Sequence, residues 1–393
     1  MKRHYLILLF IVLPFFANAQ ETINATITHD GQERAYIMYV PASYNPGTAS
    51  PLLLCFHGYT SSANTIMNYS GFNNIADTAN FIVVYPQGTL LNGTTHWNVG
   101  GWTTSSTMDD LGFTNALLDS ISVEYTIDSS KVYSTGMSNG GFMSFLLACQ
   151  LSDRIAAIAS VTGSMTPETY NSCDPQHPTP VLQIHGTADG TVPYTGASWT
   201  KSIDQVLEYW VGFNNTNASS TTTDIENTST NDGSTAEKII YSEGDSCSVV
   251  THYKITGGDH TWPGVWGNMD INASVLVWNF LSQFDINGKA SCEEGQEDSE
   301  EEEEEDDPDL VFTGAAEKAE DKFKVYPNPS NSFITVEGKN LSSYKYEVSS
   351  VDGKVLLKGS LKNNNHQIDI SALELDVYIL KIGKQSIKFV KED

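Results

Sequence analysis

The chain has 393 residues, of which 18% are charged, with 48 acidic against 21 basic side chains and a formal net charge of -27. That length suits two domains, and so negative a surface repels nucleic-acid phosphate and anionic lipid, which excludes nucleic acid as a partner. The five cysteines form neither a C-x-x-C pair nor a His/Cys cluster, so no structural zinc and no other metal is expected.

Residues 1–19 read as a secretion signal. Met1-Lys2-Arg3 is basic, the run from Leu6 to Phe16 is apolar but too short to span a bilayer, and Ala17-Asn18-Ala19 has the small-residue form of a cleavage site. No later run is long and apolar enough to cross a membrane, so the exported protein is expected to lack an integral membrane segment.

Segments 23–27 and 36–40 alternate polar and apolar residues, as half-exposed strands at an antiparallel edge do. Segments 51–56, 81–85 and 180–184 are continuously apolar instead, which suits strands covered on both faces. Helix candidates lie between them at 64–80, 109–125, 141–153, 199–213 and 272–284. This alternation predicts an α/β domain over 20–292, with a mostly parallel sheet, helices on both faces and ligands at the carboxyl ends of the strands. Residues 214–223 and 227–234 are poor in apolar side chains and read as exposed loops flanking strands near 222–226 and 238–241.

Residues 293–322 begin with thirteen acids and no base between Glu293 and Asp309, a density of like charge that keeps a chain extended and solvated as a linker. Order returns over 323–393, where alternating segments 333–336, 344–348, 354–357 and 378–382 are broken by Asp352-Gly353 and Asn363-Asn364-Asn365. These predict a small all-β sandwich. With ten lysines against eight acids, one histidine (His366) and neither Cys nor Trp, it is not a catalytic domain.

The chemistry gathers around Gly136-Met137-Ser138-Asn139-Gly140. This stretch follows a strand at 131–135 and precedes an apolar helix. A serine flanked by glycines between strand and helix suits a strained turn that pushes a hydroxyl into a pocket, although a glycine-rich turn with an incidental serine has the same five letters. Serine is a weak nucleophile, so it needs an imidazole base and an acid to orient that base. In such turns the partners follow in the order Ser, Asp, His. Asp189 in His185-Gly186-Thr187-Ala188-Asp189 and His260 in Gly257-Gly258-Asp259-His260 keep that order, each in a loop after a strand. Asp189 could instead only fix a turn, and Asp259 competes as the acid. A sequence neighbour rarely faces the next residue's ring, so Asp189 is preferred. The oxyanion formed in acyl transfer needs two backbone N–H donors, which Asn139 and, in the loop His57-Gly58-Tyr59-Thr60, Tyr59 would supply. Cys55 and Cys149 read as small buried hydrophobes, leaving Cys173, Cys247 and Cys292 to provide one bridge.

Together, His57-Gly58-Tyr59, Trp97-Asn98 with Gly101-Trp102, Met108-Asp109-Asp110-Leu111-Gly112-Phe113, the Ser138 turn, the Asp189 loop and Gly257-Gly258-Asp259-His260-Thr261-Trp262-Pro263-Gly264 resemble the secreted polyhydroxybutyrate depolymerase and feruloyl esterase group of the α/β hydrolases. The resemblance covers about residues 24–284. It implies a serine carboxylesterase without a cofactor, with Ser138, His260 and Asp189 as its triad. Trp97, Trp102 and Trp262 would then lie near the site as candidate stacking surfaces for an aromatic acyl group or a sugar, with burial in the core as the alternative. Members often carry a cysteine after the helix ending here at 213–215 that pairs with one near Cys247, and this chain has none there. In the tail, Val325-Tyr326-Pro327-Asn328-Pro329, Asp352-Gly353-Lys354 and Tyr378-Ile379-Leu380-Lys381 resemble the C-terminal sorting domain of the type IX secretion system of Bacteroidetes. That resemblance implies the secretion machinery as a partner, followed by release or attachment at the outer cell surface. The favoured substrate is a feruloyl or acetyl ester of plant polysaccharide, and a short-chain polyester is the alternative. A peptidase, or a surface carbohydrate-binding protein with a vestigial triad, is a weaker reading.

Overall fold

A computed structural model describes residues 20–289 and, in the tail, 324–391 without 327–329, 331, 339–340, 342–343, 351–353, 363–364, 374–375 and 383–384. The expected secretion signal, the whole linker and Cys292 lie outside the described residues. The chain divides into two compact units between Asp298 and Ser299. Among the described residues no helix is long and apolar enough to cross a membrane.

The first unit is built on a ten-stranded sheet. In chain order its elements are β1 (Glu21–His29), β2 (Gln32–Val40), β3 (Ser50–Phe56), α1 (Ala63–Ser70), α2 (Phe72–Ala79) and β4 (Ile82–Pro86), then a small hairpin of β5 (Thr89–Leu91) and β6 (Thr94–His96). There follow α3 (Asp110–Glu124), β7 (Ile127–Met137), α4 (Asn139–Gln150), β8 (Ala157–Val161), α5 (Pro167–Asn171), β9 (Val181–Gly186), α6 (Ile203–Phe213), β10 (Thr221–Asp224), β11 (Thr235–Tyr241), β12 (Val250–Thr256) and α7 (Ala273–Leu281). The sheet order is β1-β2-β4-β3-β7-β8-β9-β12-β11-β10. The strands from β4 through β12 in that order are mutually parallel, and antiparallel pairs close both edges.

Strand periodicity divides the core in two. Leu52, Leu54 and Phe56 of β3 pack into one buried cluster, while Leu53 and Cys55 face the other. Helices cover both faces, so the runs Leu52–Phe56 of β3 and Ile82–Tyr85 of β4 are apolar at every position, as the sequence pattern required.

The structure departs from the sequence reading in three places. The helix expected over 64–80 is two helices, because Gly71 adopts φ 62° and ends one while opening the next. Strand β8 carries Ala157-Ile158-Ala159-Ser160-Val161, whose small residues gave no strand signal. Cys149 is not a free hydrophobe but is disulfide-bonded to Cys173, which lies just past α5. Cys247 is disulfide-bonded as well, and among the described residues Cys55 is the free, buried thiol.

The second unit consists of two antiparallel sheets. One contains Lys324–Tyr326, Phe333–Glu337 and Asn365–Asp369, and the other Val355–Ser360, Lys345–Ser350, Asp376–Ile382 and Gln385–Lys391. Ile334 and Val336 of the first share one buried cluster with Val348, Leu380 and Phe389 of the second, which makes a sandwich.

Candidate active site

Four parallel strands deliver residues to one end of the sheet. Beyond the carboxyl end of β3 lies His57-Gly58-Tyr59, beyond β7 Ser138, beyond β9 Asp189 and beyond β12 His260. This is where an open α/β sheet binds its ligands.

Ser138 has φ 56° and ψ -123°, a backbone conformation that L residues avoid. The turn is possible because its neighbours are glycines. A Cβ on Gly136 would come within 2.6 Å of Phe56 O, and one on Gly140 would overlap the same carbonyl. Such close approach lets β3, β7 and α4 meet directly beneath the serine. Although serine is a favoured helix cap, the Ser138 hydroxyl does not cap α4. It is left at the helix N-terminus, where the backbone dipole favours negative charge.

His260 Nδ1 lies 2.7 Å from Asp189 Oδ2, and the Asp189 carboxylate is fully buried. The other oxygen, Oδ1, accepts from the N–H groups of Thr191 at 2.9 Å and Val192 at 2.8 Å. Burial alone would raise the Asp189 pKa. Donors from His185, His260 and Val192 outweigh it and hold the carboxyl well below the usual range, so it is a carboxylate at any working pH. The rival acid, Asp259, accepts from the backbone N–H of His260 at 2.7 Å. The two loops are joined because Thr187 N–H donates to Ile255 O and Ala188 N–H to Gly258 O. A Cβ on Gly186 would overlap Gly258 O, so only glycine lets them approach this closely.

The loop after β3 lies against the serine, with Gly58 placed so that a Cβ there would sit 3.4 Å from Ser138 Cβ. Its shape is set by His57, which is buried beneath it. Gly88 N–H donates to His57 Nε2 at 2.9 Å, so the ring proton is on Nδ1, which donates to Gly58 O at 2.7 Å. Burial pushes the His57 pKa down to about 4, against the opposing pull of that bond to Gly58 O, and the ring stays neutral. Ser61 N–H also donates to Gly58 O. In a trans peptide the next N–H points opposite to the carbonyl, so holding Gly58 O on one side turns Tyr59 N–H to the other.

Asn139 is tied to this loop through Trp97. Its side chain exchanges hydrogen bonds with both Trp97 backbone groups, accepting from N–H at 2.7 Å and donating to the carbonyl at 3.1 Å. The Trp97 indole N–H donates to His57 O at 2.9 Å. Trp97 therefore joins the two segments that carry the expected N–H donors. The Asp110 carboxylate fixes the same strip of chain from below, accepting from Arg34 at 2.5 Å and from Asn98 N–H at 2.7 Å in a fully buried setting.

The three tryptophans fall in different places. Trp97 and Trp262 are 0% exposed, and the Trp262 N–H donates to Ser274 Oγ, so neither offers a free face to a ligand. Trp102 is half-buried, packed edge-on against Phe142 and Trp199. Among the described residues of the first unit, the exposed rings are others, Tyr59 at 36% and Trp266 at 37%. Trp266 stands 5.0 Å from Tyr69, edge to face, and the Tyr69 hydroxyl reaches Met137 Sδ at 3.4 Å, next to Ser138. Sequence reading missed Trp266 and Tyr69 because neither falls within the quoted motifs. It also passed over His185, although that residue shares its loop motif with Asp189. Among the described residues, His29, Asp30 and Asp109 are the one grouping with metal-ligand spacing. They lie at the end of β1 and the N-cap of α3, where Asp109 already accepts from Gly112 N–H and pairs with His29.

Comparison with known proteins agrees with this architecture. Residues 45–217 match the Phospholipase/Carboxylesterase family, and residues 324–392 match the secretion system C-terminal sorting domain. A bifunctional acetylxylan esterase/xylanase of Neocallimastix patriciarum is 28% identical over 69% of this chain and 36% of its own. Feruloyl esterase B of Piromyces equi is 27% identical over 64% of this chain and 46% of its own. The chain thus spans between a third and a half of the length of these two curated relatives. In three dimensions, the acetyl xylan esterase from Aspergillus awamori superimposes with a TM-score of 0.50 at 19% identity, covering 67% of this chain and 99% of that one.

Proposed function

We propose that this chain, which joins an α/β-hydrolase domain of carboxylesterase type to a secretion sorting domain, is an exported serine carboxylesterase that removes feruloyl or acetyl groups from plant polysaccharide. The observation that carries the reading is the 2.7 Å bond between His260 Nδ1 and the buried Asp189 carboxylate, at the same sheet end as the strained Ser138 turn. With Nδ1–H held by Asp189, the second ring nitrogen is left as the base. His260 Nε2 takes the Ser138 proton as Oγ bonds to the ester carbonyl carbon. The resulting oxyanion is held by the N–H groups of Tyr59 and Asn139, neither of which has an acceptor within the described chain. Collapse breaks the bond to the alcohol oxygen, which leaves with the proton from His260. Water then repeats the sequence on the acyl-enzyme, releasing the acid and restoring Ser138.

The preference for esters of plant polysaccharide rests on the two relatives whose names carry feruloyl and acetylxylan esterase activity. It rests also on the exposed rings of Trp266 and Tyr59, which suit a flat acyl group or a sugar face. The sorting-domain match supports delivery through the type IX machinery to the medium or the cell surface.

Two assays test this. p-Nitrophenyl acetate hydrolysis by wild type and Ser138→Ala should differ by several orders of magnitude, and equal rates would sink the esterase reading. Acetate or ferulate should then be released from xylan. Release of hydroxybutyrate from polyester alone would transfer the substrate assignment to a depolymerase.

A further inference from the structure

A second histidine stands behind the acid. His185, at the end of β9, is fully buried, and its Nε2 lies 2.9 Å from Val192 O and 3.3 Å from Asp189 Oδ2. Both are acceptors, so Nε2 must carry the proton. The other ring nitrogen gives the same answer. Gln183 Nε2 donates to Gly163 O at 2.8 Å and lies 3.0 Å from His185 Nδ1. Turning the Gln183 amide over would set two carbonyl oxygens against each other, so its NH2 faces the ring and Nδ1 is bare.

We propose that His185 is a positioning residue for the reaction, holding the Asp189 carboxylate in the one orientation that serves His260. This rests on the reading of Asp189 as the triad acid. The single Nε2–H is shared. Its shorter bond holds Val192 O, and the N–H of that same residue fixes Asp189 Oδ1; its longer contact lies against Oδ2, beside the His260 bond. The carboxylate is therefore gripped at both oxygens by groups that His185 touches. With four donors around two oxygens, little freedom remains to swing away from the imidazole. The other titratable groups beside His185 are Tyr194, with ring centres 6.0 Å apart, and His252 on β12. His252 Nδ1 lies 3.0 Å from Gln183 O, an acceptor, so Nδ1 carries the proton and Nε2 accepts from the Tyr194 hydroxyl; this fastens the residue that sets the His185 tautomer.

The test compares two polar replacements that differ in reach. The amide nitrogen of glutamine can occupy the place of imidazole Nε2, whereas that of asparagine falls near Nδ1 and cannot reach Asp189. His185→Gln should keep kcat within about threefold of wild type, while His185→Asn loses about tenfold per titrated active site at unchanged KM, as befits one hydrogen bond to a charged group. The acid limb of kcat/KM should move upward in His185→Asn only, because a carboxylate stripped of a donor attracts positive charge beside it more strongly. Equal kcat values and coincident limbs for the two variants overturn the proposal. Asp189→Asn in the same assay separates the two readings. If it is inactive while the His185 variants coincide, the triad stands and the role of His185 alone is lost. Should the variants not fold, long-range proton–nitrogen spectra of the wild type decide the matter. A His185 ring with Nε2–H and bare Nδ1 supports the assignment, and the reverse tautomer overturns it.

Discussion

Replacing Asp189 with asparagine removes one charge and almost no volume, and the surroundings dictate how the new amide sits. Oδ1 accepts two backbone N–H groups, from Thr191 and Val192. An amide that turned its NH2 toward them would orphan both, at about 1–3 kcal/mol for each buried donor left without a partner. The oxygen therefore stays there and the NH2 faces His260. His260 Nδ1 must then accept, the ring proton moves to Nε2, and no lone pair is left for the Ser138 proton. A triad locked in the wrong tautomer loses about 10⁴ in kcat, or about 5.5 kcal/mol of transition-state stabilisation. The assay is steady-state hydrolysis of p-nitrophenyl acetate, with circular dichroism establishing that the variant is folded. KM should change little, because the perturbed atom does not touch the ester. The wild-type Asp189 carboxyl lies well below the usual range, so it stays ionised across the assay range. A variant that keeps a tenth or more of wild-type kcat refutes this assignment of the acid.

Three further outcomes are expected. His57, whose pKa is pushed down to about 4, binds a proton in the unfolded chain before it does so in the fold, so stability is full above about pH 6.5 and lost as pH falls toward 4. That loss amounts to roughly 3 kcal/mol for this one group; urea unfolding at pH 7 and pH 4 should show a smaller difference for His57→Gln, and an identical difference removes the argument. Paired Cys149→Ser and Cys173→Ser substitutions open a bridge of sequence separation 24 and should cost about 3 kcal/mol in the same titration; an unchanged midpoint is the adverse result. Trp266→Ala should raise KM for methyl ferulate by about threefold to tenfold, the range of one lost aromatic contact, with p-nitrophenyl acetate hydrolysis little changed; parallel losses on both substrates would remove Trp266 from acyl recognition.

Much of this molecule could be read from residue order because its determinants are local. The parallel sheet announced itself through runs such as Leu52-Leu53-Leu54-Cys55-Phe56, which are apolar at every position only when both faces are covered. The Ser138 turn was visible because the steric demand of the turn is met by glycines written beside the serine. What stayed hidden depends on meetings between distant segments. The Cys149 bridge required knowing that α5 brings Cys173 back to the end of α4. In strand β8, Ala157, Ala159 and Ser160 dilute the strand signal of Ile158 and Val161, and the segment is a strand because β7 and β9 pair with it on both sides. The break at Gly71 was legible in principle, since a glycine inside a helical pattern can end it with a left-handed turn.

The tryptophans show why motif membership and ligand contact are different things. Trp97 and Trp262 lie inside the motifs that carry the family resemblance, and both are fully buried with their N–H groups bonded to the protein. Trp97 acts on the site indirectly, by tying Asn139 to the backbone of His57. The same holds for Asp110, whose paired carboxylate fixes the backbone of Asn98. These residues make the reaction geometry rigid, and rigidity is common to any ester the site could take. Tyr59 and Trp266, whose rings are exposed, form the rim on this reading, and Trp266 is linked to the Ser138 turn through Tyr69 and Met137. Substitution at the rim should therefore alter which ester is preferred at little cost in stability, whereas substitution in the buried frame should lower every activity together. On this division, the choice of substrate is carried by the residues whose order along the chain was least informative.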